Sequence, residues 1–481
     1  MSAFTTSTAL RARPNVVAMA MAQQAIVLLA VVGAPLIAGV AFAEWNFVLS
    51  LTPQAILLTL VALRYRARAF PQDLRRVEAF VVFALIFVVA SLLVAPPFMA
   101  LGMPPLDAVF EAVSGITSTG LSLAVGAEDW PIPGHLLRGW IQWCGGFAIA
   151  LAGLAIFAGS SGASLSMSST NITDRDNLSS IKAQARQVLL AYVALTSVAM
   201  VLCLLLLPNW WEAISVALAA ASTGGFSPRA DSLASYSYLA QGVVIGICIA
   251  GAVSLLFYIR IWRDGLRLAL GKSHVLATLG LMAGGVTIFA VVDLAVNAPS
   301  LVELYSGALN FLSGFSTAGF STNEVSSHIA LLPMLLLAMV IGGDLGSTAG
   351  GIKVARLVVL LQMVRLSLLR VRVPASAVTY LRDGGDKVAV DRVIAVTALL
   401  VTYLAAVLIC WVIFLVSEIP PLSGLFDVVS ALSTVGLIQG VVAPDLAPHL
   451  KVTLIVAMLL GRLEFIALII LCLPGTWMRR T

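Results

Sequence analysis

FLSGFSTAGFSTNEVSSHIALLPMLLLAMVIGGDLGSTAGGIKVAR, residues 311–356, sets a polar Ser/Thr/Gly turn, an apolar run and a glycine-rich break one after another. Irregular backbone at membrane depth persists only where protein or a water-filled cavity satisfies its N–H and C=O groups, so such breaks amid lipid-type segments point to a pathway. The surroundings are of that type. Of 481 residues, 60% are hydrophobic and 11% charged, and the mean hydropathy is +1.03, which excludes an ordinary soluble domain. Apolar runs lie near residues 16–43, 47–63, 77–101, 138–158, 188–207, 238–259, 275–297, 329–364 (interrupted), 393–416 and 450–473. They predict an all-α polytopic membrane protein with about ten crossings.

The leader MSAFTTSTALRARP precedes an apolar segment longer than a signal-peptide core, which reads as a retained first helix. The five cysteines sit in apolar segments without metal-ligand spacing and read as packing residues. Net charge is +5, but its distribution speaks of topology rather than of nucleic acid as a partner. Only Arg138, Arg229, Lys451 and Arg462 fall outside one face, leaving 24 of 28 basic residues on the side that is cytoplasmic by the positive-inside rule. Both termini are then cytoplasmic, in a multi-pass plasma-membrane protein (the inner membrane of a Gram-negative cell) surrounded by lipid.

A short polar turn between apolar segments recurs four times: ITSTGLS (116–122), ASTGGFS (221–227), FSTAGFST (315–322) and LSTVGLIQG (432–440). Aligned on Ser/Thr-x-Gly, they bring Gly120, Gly224, Gly319 and Gly436 into register. Before each turn lies a segment too short to span, LDAVFEAVSGIT, WWEAISVALAAA, ELYSGALNFLSGF or LFDVVSALS, each read as a re-entrant pore helix opening with an acidic residue. Two spanning helices per unit return the chain to its starting side, so the units are parallel. They predict a pseudo-fourfold arrangement around a central pore. The expected divisions are 1–74 with two extra N-terminal helices, 75–187, 188–273, 274–391 and 392–481 for the four repeats with their loops.

A dehydrated alkali cation needs several hard oxygen ligands, which backbone carbonyls and Ser/Thr hydroxyls supply without a permanent charge that would trap it. Glycine removes the side chain where strands crowd an axis. The candidate filter residues are Ser118, Thr119 and Gly120; Ser222, Thr223 and Gly224; Thr317, Ala318 and Gly319; and Thr434, Val435 and Gly436. The external acids, among them Asp107, Glu111, Glu212, Glu303 and Asp427, either gather cations at the mouth or form a solvated loop face.

RRVEAF (75–80), LDAVFEAVSGITSTG (106–120), GWIQWCGGFAI (139–149), ASTGGFSP (221–228), IGGDLGSTAGGIKVAR (341–356) and MLLGRLEFIAL (458–468) resemble signatures of the Trk-type potassium uptake proteins. That family comprises the TrkH and KtrB membrane subunits and the plant HKT transporters. The resemblance covers roughly residues 75–475, and the two preceding helices are similar to the extra pair of TrkH. It implies that Gly120, Gly224, Gly319 and Gly436 are filter glycines, and that glycine rather than serine at position 120 favours potassium over sodium. The fourth turn, STVGLIQG, departs from the asparagine-rich turn of many TrkH proteins. The resemblance also implies a homodimer and a cytosolic nucleotide-binding regulatory subunit (TrkA/KtrA-like) that would carry ATP/ADP or NAD, with potassium as the transported ion on this chain.

GGDLGSTAGGIK (342–353) lacks the closing Gly-Lys-Ser/Thr and the preceding strand of a phosphate-binding loop, so nucleotide binding is rejected. Its residues Gly342, Gly343, Asp344, Gly346, Ser347, Thr348, Gly350, Gly351 and Lys353 read as a hinge or gate inside a long helix, and the family's matching segment obstructs permeation below the filter. Asp344 is an intramembrane carboxylate that pairs with Lys353, with Arg462 or with the passing cation, or else faces a wet vestibule. Arg462, inside the final apolar helix, reads as a pore-facing barrier in line with the matching family arginine, or as a packing salt bridge. Glu464 lies two residues on and points to another helix face. Three function classes follow: a gated potassium-conducting subunit, a potassium symporter coupled to protons or sodium, and an enzyme. The last has no convergent acid/base or metal constellation, and His135, His274, His328 and His449 are scattered.

Overall fold

A computed structural model of the chain describes residues 11–66, 68, 74–160, 174–271, 273–325, 328–374, 379, 381–383 and 386–477. Among the basic residues read as cytoplasmic, Lys272, Arg479 and Arg480 lie outside these. Among the described residues, twenty α-helices carry the fold: α1 (Pro14–Gln23), α2 (Ala25–Ala41), α3 (Trp45–Tyr65), α4 (Arg76–Ala100), α5 (Pro105–Ile116), α6 (Ile132–Ser160), α7 (Asp174–Leu206), α8 (Trp210–Ala221), α9 (Tyr238–Ala252) and α10 (Leu255–Asp264). There follow α11 (Leu266–Gly271), α12 (Val275–Val296), α13 (Leu301–Phe315), α14 (Leu332–Ile341), α15 (Val354–Arg370), α16 (Val390–Val416), α17 (Pro421–Leu432), α18 (Pro448–Arg462), α19 (Ile466–Cys472) and α20 (Pro474–Trp477). Among the described residues, the exception to an all-helical chain is a ladder of two-residue strands, Arg382–Asp383 with Asp386–Lys387.

Among the described residues, six helices are long and apolar enough to cross a membrane, or up to eight if each of two bent pairs is one span. The expected ten are approached when α6 and the interrupted pair α14 and α15 are added. Leu49, Ile56, Leu57, Leu60 and Leu63 on α3 are exposed, a face that water would penalise and a bilayer accepts. This is a multi-pass membrane protein. The N-terminal pair packs on the rest through α2 against α6, where the Trp140 indole donates to the carbonyls of Ala30 and Val31. Arg13 meets the buried Glu78 at 2.7 Å, and Glu78 also accepts from the Arg75 amide to cap α4.

Four short helices precede the polar turns: α5, α8 and α17 are buried over most of their length, and α13 over its C-terminal part. Proline in the first turn starts α5 and α17, where its missing N–H costs nothing. A Ser300/Glu303 capping box starts α13. The reading that all four open on an acid needs correction at α17. That helix begins at Pro421, so Asp427 sits in its second turn, while Asp107, Glu212 and Glu303 lie in first turns.

Two spans expected to be continuous are bent instead. The chain turns by 78° between α9 and α10, and by 119° between α18 and α19. The second bend follows from left-handed backbone at Glu464 (φ 52°) and Phe465 (φ 63°). Arg462 is therefore the last residue of its helix rather than an interior one.

The short helices are seated by glycine. A Cβ on Gly145 of α6 would strike the carbonyl of Ile116, the last residue of α5, and one on Gly461 of α18 would strike that of Leu432, the last residue of α17. These two contacts place the ends of short helices against spanning helices at van der Waals limits. Gly461→Ala should lower the stability of the detergent-solubilised protein by roughly 1–3 kcal/mol, read as a drop in thermal midpoint. Gly246→Ala, whose Cβ would meet nothing within 4 Å, should leave the midpoint unchanged or raise it.

Candidate functional site

Each short helix ends in the same backbone figure. Thr117, Ser222, Ser316 and Ser433 close the helices in αR conformation. The next residues, Ser118, Thr223, Thr317 and Thr434, are left-handed at φ 50°, 51°, 55° and 50°. The amides of Thr119, Gly224, Ala318 and Val435 then reach back to the carbonyls of Ser114, Ala219, Ser313 and Ser430 at 2.8–2.9 Å, the six-to-one bond of a Schellman ending. A non-glycine residue in this conformation costs about 1–2 kcal/mol, and the strain recurs in all four turns.

Gly120, Gly225, Gly319 and Gly436 follow at φ +88°, +76°, +73° and +99°. A Cβ on Gly120 would strike the carbonyl of Gly224, one on Gly225 that of Ala318, one on Gly319 that of Val435, and one on Gly436 that of Thr119. The chain of near-contacts closes on itself, so the four turns form a ring in which each carbonyl faces the next turn's glycine. In the second turn the residue in register is therefore Gly225, not Gly224. Two adjacent glycines both satisfy a Ser/Thr-x-Gly alignment, and only the backbone angles separate them.

Behind three of the turns stands a matched brace. The side chain nine residues before the ring glycine accepts from the amide three residues after it. Glu111 takes Leu123 N–H (3.3 Å), Asn310 takes Thr322 N–H (2.9 Å) and Asp427 takes Gln439 N–H (2.7 Å). Asp427 also accepts from the amides of Val441 and Val442. Glu111 faces Arg138 at 3.0 Å, Asp107 meets Lys451 at 2.5 Å, and Glu212 holds Arg229 at 3.0 Å and the Tyr236 hydroxyl. Asp107, Glu111, Glu212 and Asp427 are buried. The expectation that they gather cations at a mouth, or lie on a solvated face, is overturned for these four: they are committed to amides and cations inside the protein. Glu303 alone of the five caps a helix at the surface.

Residues 342–353 are an extruded loop between two stacked helices rather than a hinge within one. Its ends are stapled together, with Ile352 N–H on Val340 O (2.9 Å), Lys353 N–H on Ile341 O (2.8 Å) and Val354 N–H on Gly343 O (3.0 Å). Gly342, Gly346, Gly351 and Lys353 take positive φ. The loop's body lies directly on the turns. The Gly350 amide donates to Thr317 Oγ1 (2.7 Å) and the Gly351 amide to Ser433 O (3.1 Å). Thr348 Oγ1 donates to the carbonyls of Ala221 and Gly251 and accepts from Thr223 Oγ1. The α9–α10 bend receives the loop as well, with Asp344 N–H on Ala252 O and Leu255 N–H on Gly346 O.

Arg462 reaches the loop from α18. Its guanidinium donates to Thr348 O at 3.0 Å and to Ser118 Oγ at 3.2 Å, so it ties the loop to the first turn and is 2% exposed. Glu464, past the helix break, holds Arg356 at 2.7 Å beside the base of the loop. Arg462 and Glu464 do part company, but through the bend rather than through helix periodicity. Asp344 is 2% exposed; among the described residues no ion pair joins it to Lys353 or Arg462, and one of its oxygens accepts the Leu345 amide at 2.7 Å. It therefore does not face an open wet vestibule. Gly343 abuts Ala252, and the Ser347 hydroxyl turns back to Asp344 O.

Sequence reasoning did not assign Gln142, Arg138 or Lys451 to this region. The signal for the two basic residues was present, since they break the one-sided distribution of positive charge.

The family whose sequence model matches is TrkH, described as a cation transport protein, over residues 55–475. The Trk system potassium uptake protein TrkH of Halomonas elongata is 29% identical over 430 residues, covering 84% of this chain and 87% of that one. The Trk system potassium uptake protein TrkH of Escherichia coli K12 is 29% identical over 438 residues, with 84% and 87% covered. The crystal structure of the potassium transporter TrkH from Vibrio parahaemolyticus shares the fold at a TM-score of 0.81, with 24% identity and coverage of 95% and 97%.

The geometry of the loop makes Thr348 its side-chain anchor. Thr348→Val keeps the shape and removes the hydroxyl, so backbone amides 344–351 should exchange with deuterium about tenfold faster, as the loss of roughly one to two net hydrogen bonds requires. Hydrogen exchange read by mass spectrometry checks this, with amides of α13 unchanged.

Proposed function

The chain belongs to the TrkH family of cation transport proteins, and on that premise we propose that it is the potassium-selective, ion-conducting membrane subunit of a Trk/Ktr-type uptake system. As a cation transport protein it moves an ion and is not an enzyme. The observation that carries the reading is the closed ring of four turns, each with a left-handed Ser/Thr and a ring glycine. In this reading the backbone carbonyls of the ring, with no glycine side chain in their way, converge to replace the hydration shell of a large alkali cation. Potassium is supported by the relatives' names and by glycine, not serine, at position 120.

In this reading the filter is formed by Ser118–Thr119–Gly120, Thr223–Gly224–Gly225, Thr317–Ala318–Gly319 and Thr434–Val435–Gly436, a shift of one residue in the second turn, where Ser222 becomes the helix cap. The loop 342–353 is the gate and Arg462 its latch and electrostatic barrier. The units run 75–187, 188–273, 274–391 and 392–481 after an N-terminal pair in 1–74. The subunit pairs into a homodimer in the plasma membrane with both termini cytoplasmic. A TrkA/KtrA-like partner carrying the nucleotide moves the gate. Coupled symport with protons or sodium is the second reading, favoured by a single observation, the carboxylate of Asp344 buried at the loop.

Two experiments test this. In bilayers with the purified protein, reversal potentials should follow the potassium gradient alone, and a shift with a proton or sodium gradient would favour symport. In the same assay Gly120→Ser, which forces a side chain against Gly224 O, should lower the potassium-to-sodium permeability ratio about tenfold, a change of ~1.4 kcal/mol in relative barrier; an unchanged ratio removes the filter assignment. Arg462→Ala should raise rubidium flux into proteoliposomes lacking any regulatory partner by roughly tenfold or more, because a unit charge ~10 Å from the path at an effective dielectric near 20 is a barrier of ~1.7 kcal/mol. Flux equal to the parent would exclude the barrier role.

A further inference from the structure

The second turn lacks the brace shared by the other three, and it lacks both halves of it. Nine residues before Gly225 stands Val216, buried and without an acceptor, and three residues after it stands Pro228, without an N–H. The strand leaving this turn is held from the side instead. Gln142 of α6, fully buried, donates from Nε2 to the carbonyl of Gly224 and accepts at Oε1 from the Phe226 amide at 3.2 Å. One helical turn earlier on the same face, Arg138 donates to Ser227 O at 2.9 Å and lies over the Phe226 ring at 4.1 Å. A primary amide is suited to this place because it supplies a donor to a carbonyl and an acceptor to an amide two residues on.

Gln142 also accounts for the extra glycine. A Cβ at position 224 would lie 2.6 Å from Gln142 Oε1 and 2.9 Å from Nε2, whereas the equivalent places in the other turns carry Thr119, Ala318 and Val435. Gly224 is glycine to admit Gln142, and Gly225 is glycine to admit the neighbouring turn. Among the described residues, the carbonyls of Thr119, Ala318 and Val435 accept no hydrogen bond, so Gly224 O is the one member of its layer already engaged by a side chain.

We infer that Gln142 is a specificity-determining positioning residue, which sets the orientation and field strength of one of four carbonyls in the ring and thereby its preference for the larger alkali cation. The inference rests on the reading of the ring as a cation filter. A carbonyl that shares its charge with an amide donor is a weaker ligand, and weaker fields discriminate against the smaller, more strongly hydrated sodium ion. Releasing Gly224 O strengthens the field and frees the strand at Phe226, and both effects favour sodium.

The test is bi-ionic reversal potentials of Gln142→Met and Gln142→Glu in bilayers, beside the parent and Gly120→Ser. Gln142→Met removes donor and acceptor at constant length. Gln142→Glu retains an acceptor for Phe226 N–H and places an oxygen against Gly224 O. Both should lower the potassium-to-sodium permeability ratio by about fivefold to tenfold, the worth of one net hydrogen bond. A parental ratio in both variants, with Gly120→Ser shifted, overturns the role of Gln142 and leaves the filter reading standing. A parental ratio in Gly120→Ser as well overturns the filter reading itself. Failure of both Gln142 variants to accumulate as folded protein assigns the residue to stability and likewise overturns the inference.

Discussion

Everything in this molecule answers to one steric constraint, the near-contact between the carbonyl of each polar turn and the glycine of the next. With no room for a Cβ at Gly120, Gly225, Gly319 or Gly436, the turns hold their spacing only if the elements behind them do not move. The short helices supply that rigidity, seated against spanning helices at Gly145 and Gly461. The left-handed Ser/Thr residues work in the opposite sense, because each adds strain of about 1–2 kcal/mol. Burial of the short helices and the braces from Glu111, Asn310 and Asp427 offset it. A ring of strained turns on a stiff frame is preorganised, so on the proposed filter reading a cation entering it need not rebuild its ligands.

The same constraint explains where charge is spent. Four basic residues fall outside the one-sided distribution, and all four are tied to the ring's surroundings. Arg138 joins Glu111 to Ser227, Arg229 meets Glu212, Lys451 meets Asp107, and Arg462 joins Ser118 to Thr348. A charge in a bilayer-depth interior is tolerated when a partner compensates its desolvation. Removing one partner would leave the other stranded, which makes these pairs costly to break and well suited to fixing geometry.

The sequence made the fold class, the four turns and the special status of 342–353 legible, since apolar length and matched polar interruptions are one-dimensional signals. It misleads elsewhere, and four of these places show why, each for a reason of three-dimensional geometry. Gly224 and Gly225 are indistinguishable by pattern and differ by φ and by what each glycine admits. The bend after Arg462 arises from left-handed backbone at Glu464 and Phe465, residue types that carry no such signal. Asp427 looked like a helix-starting acid because Pro421 was not recognised as the true first turn. The acids at the short helices looked solvent-facing because their partners are distant in the chain, Lys451 being 344 residues from Asp107.

The ring has four turns, and among the described residues the one loop 342–353 lies against them. The loop bonds to the turns themselves: to Thr223 through Thr348, to Thr317 through Gly350, to Ser433 through Gly351, and to Ser118 by way of Arg462. It thus bonds directly to three of the turns and reaches the first through Arg462, from one base stapled by Ile352, Lys353 and Val354. Each bond is worth about 0.5–1.5 kcal/mol net, so the loop is held by several kcal/mol in all. On the proposed gating reading, that is strong enough to keep one state dominant and within what a partner binding two states unequally can overcome. On the proposed reading of the loop as a gate, a seal built of four separate loops would need four such shifts at once, whereas one loop stapled at a single base and held by one arginine needs only one.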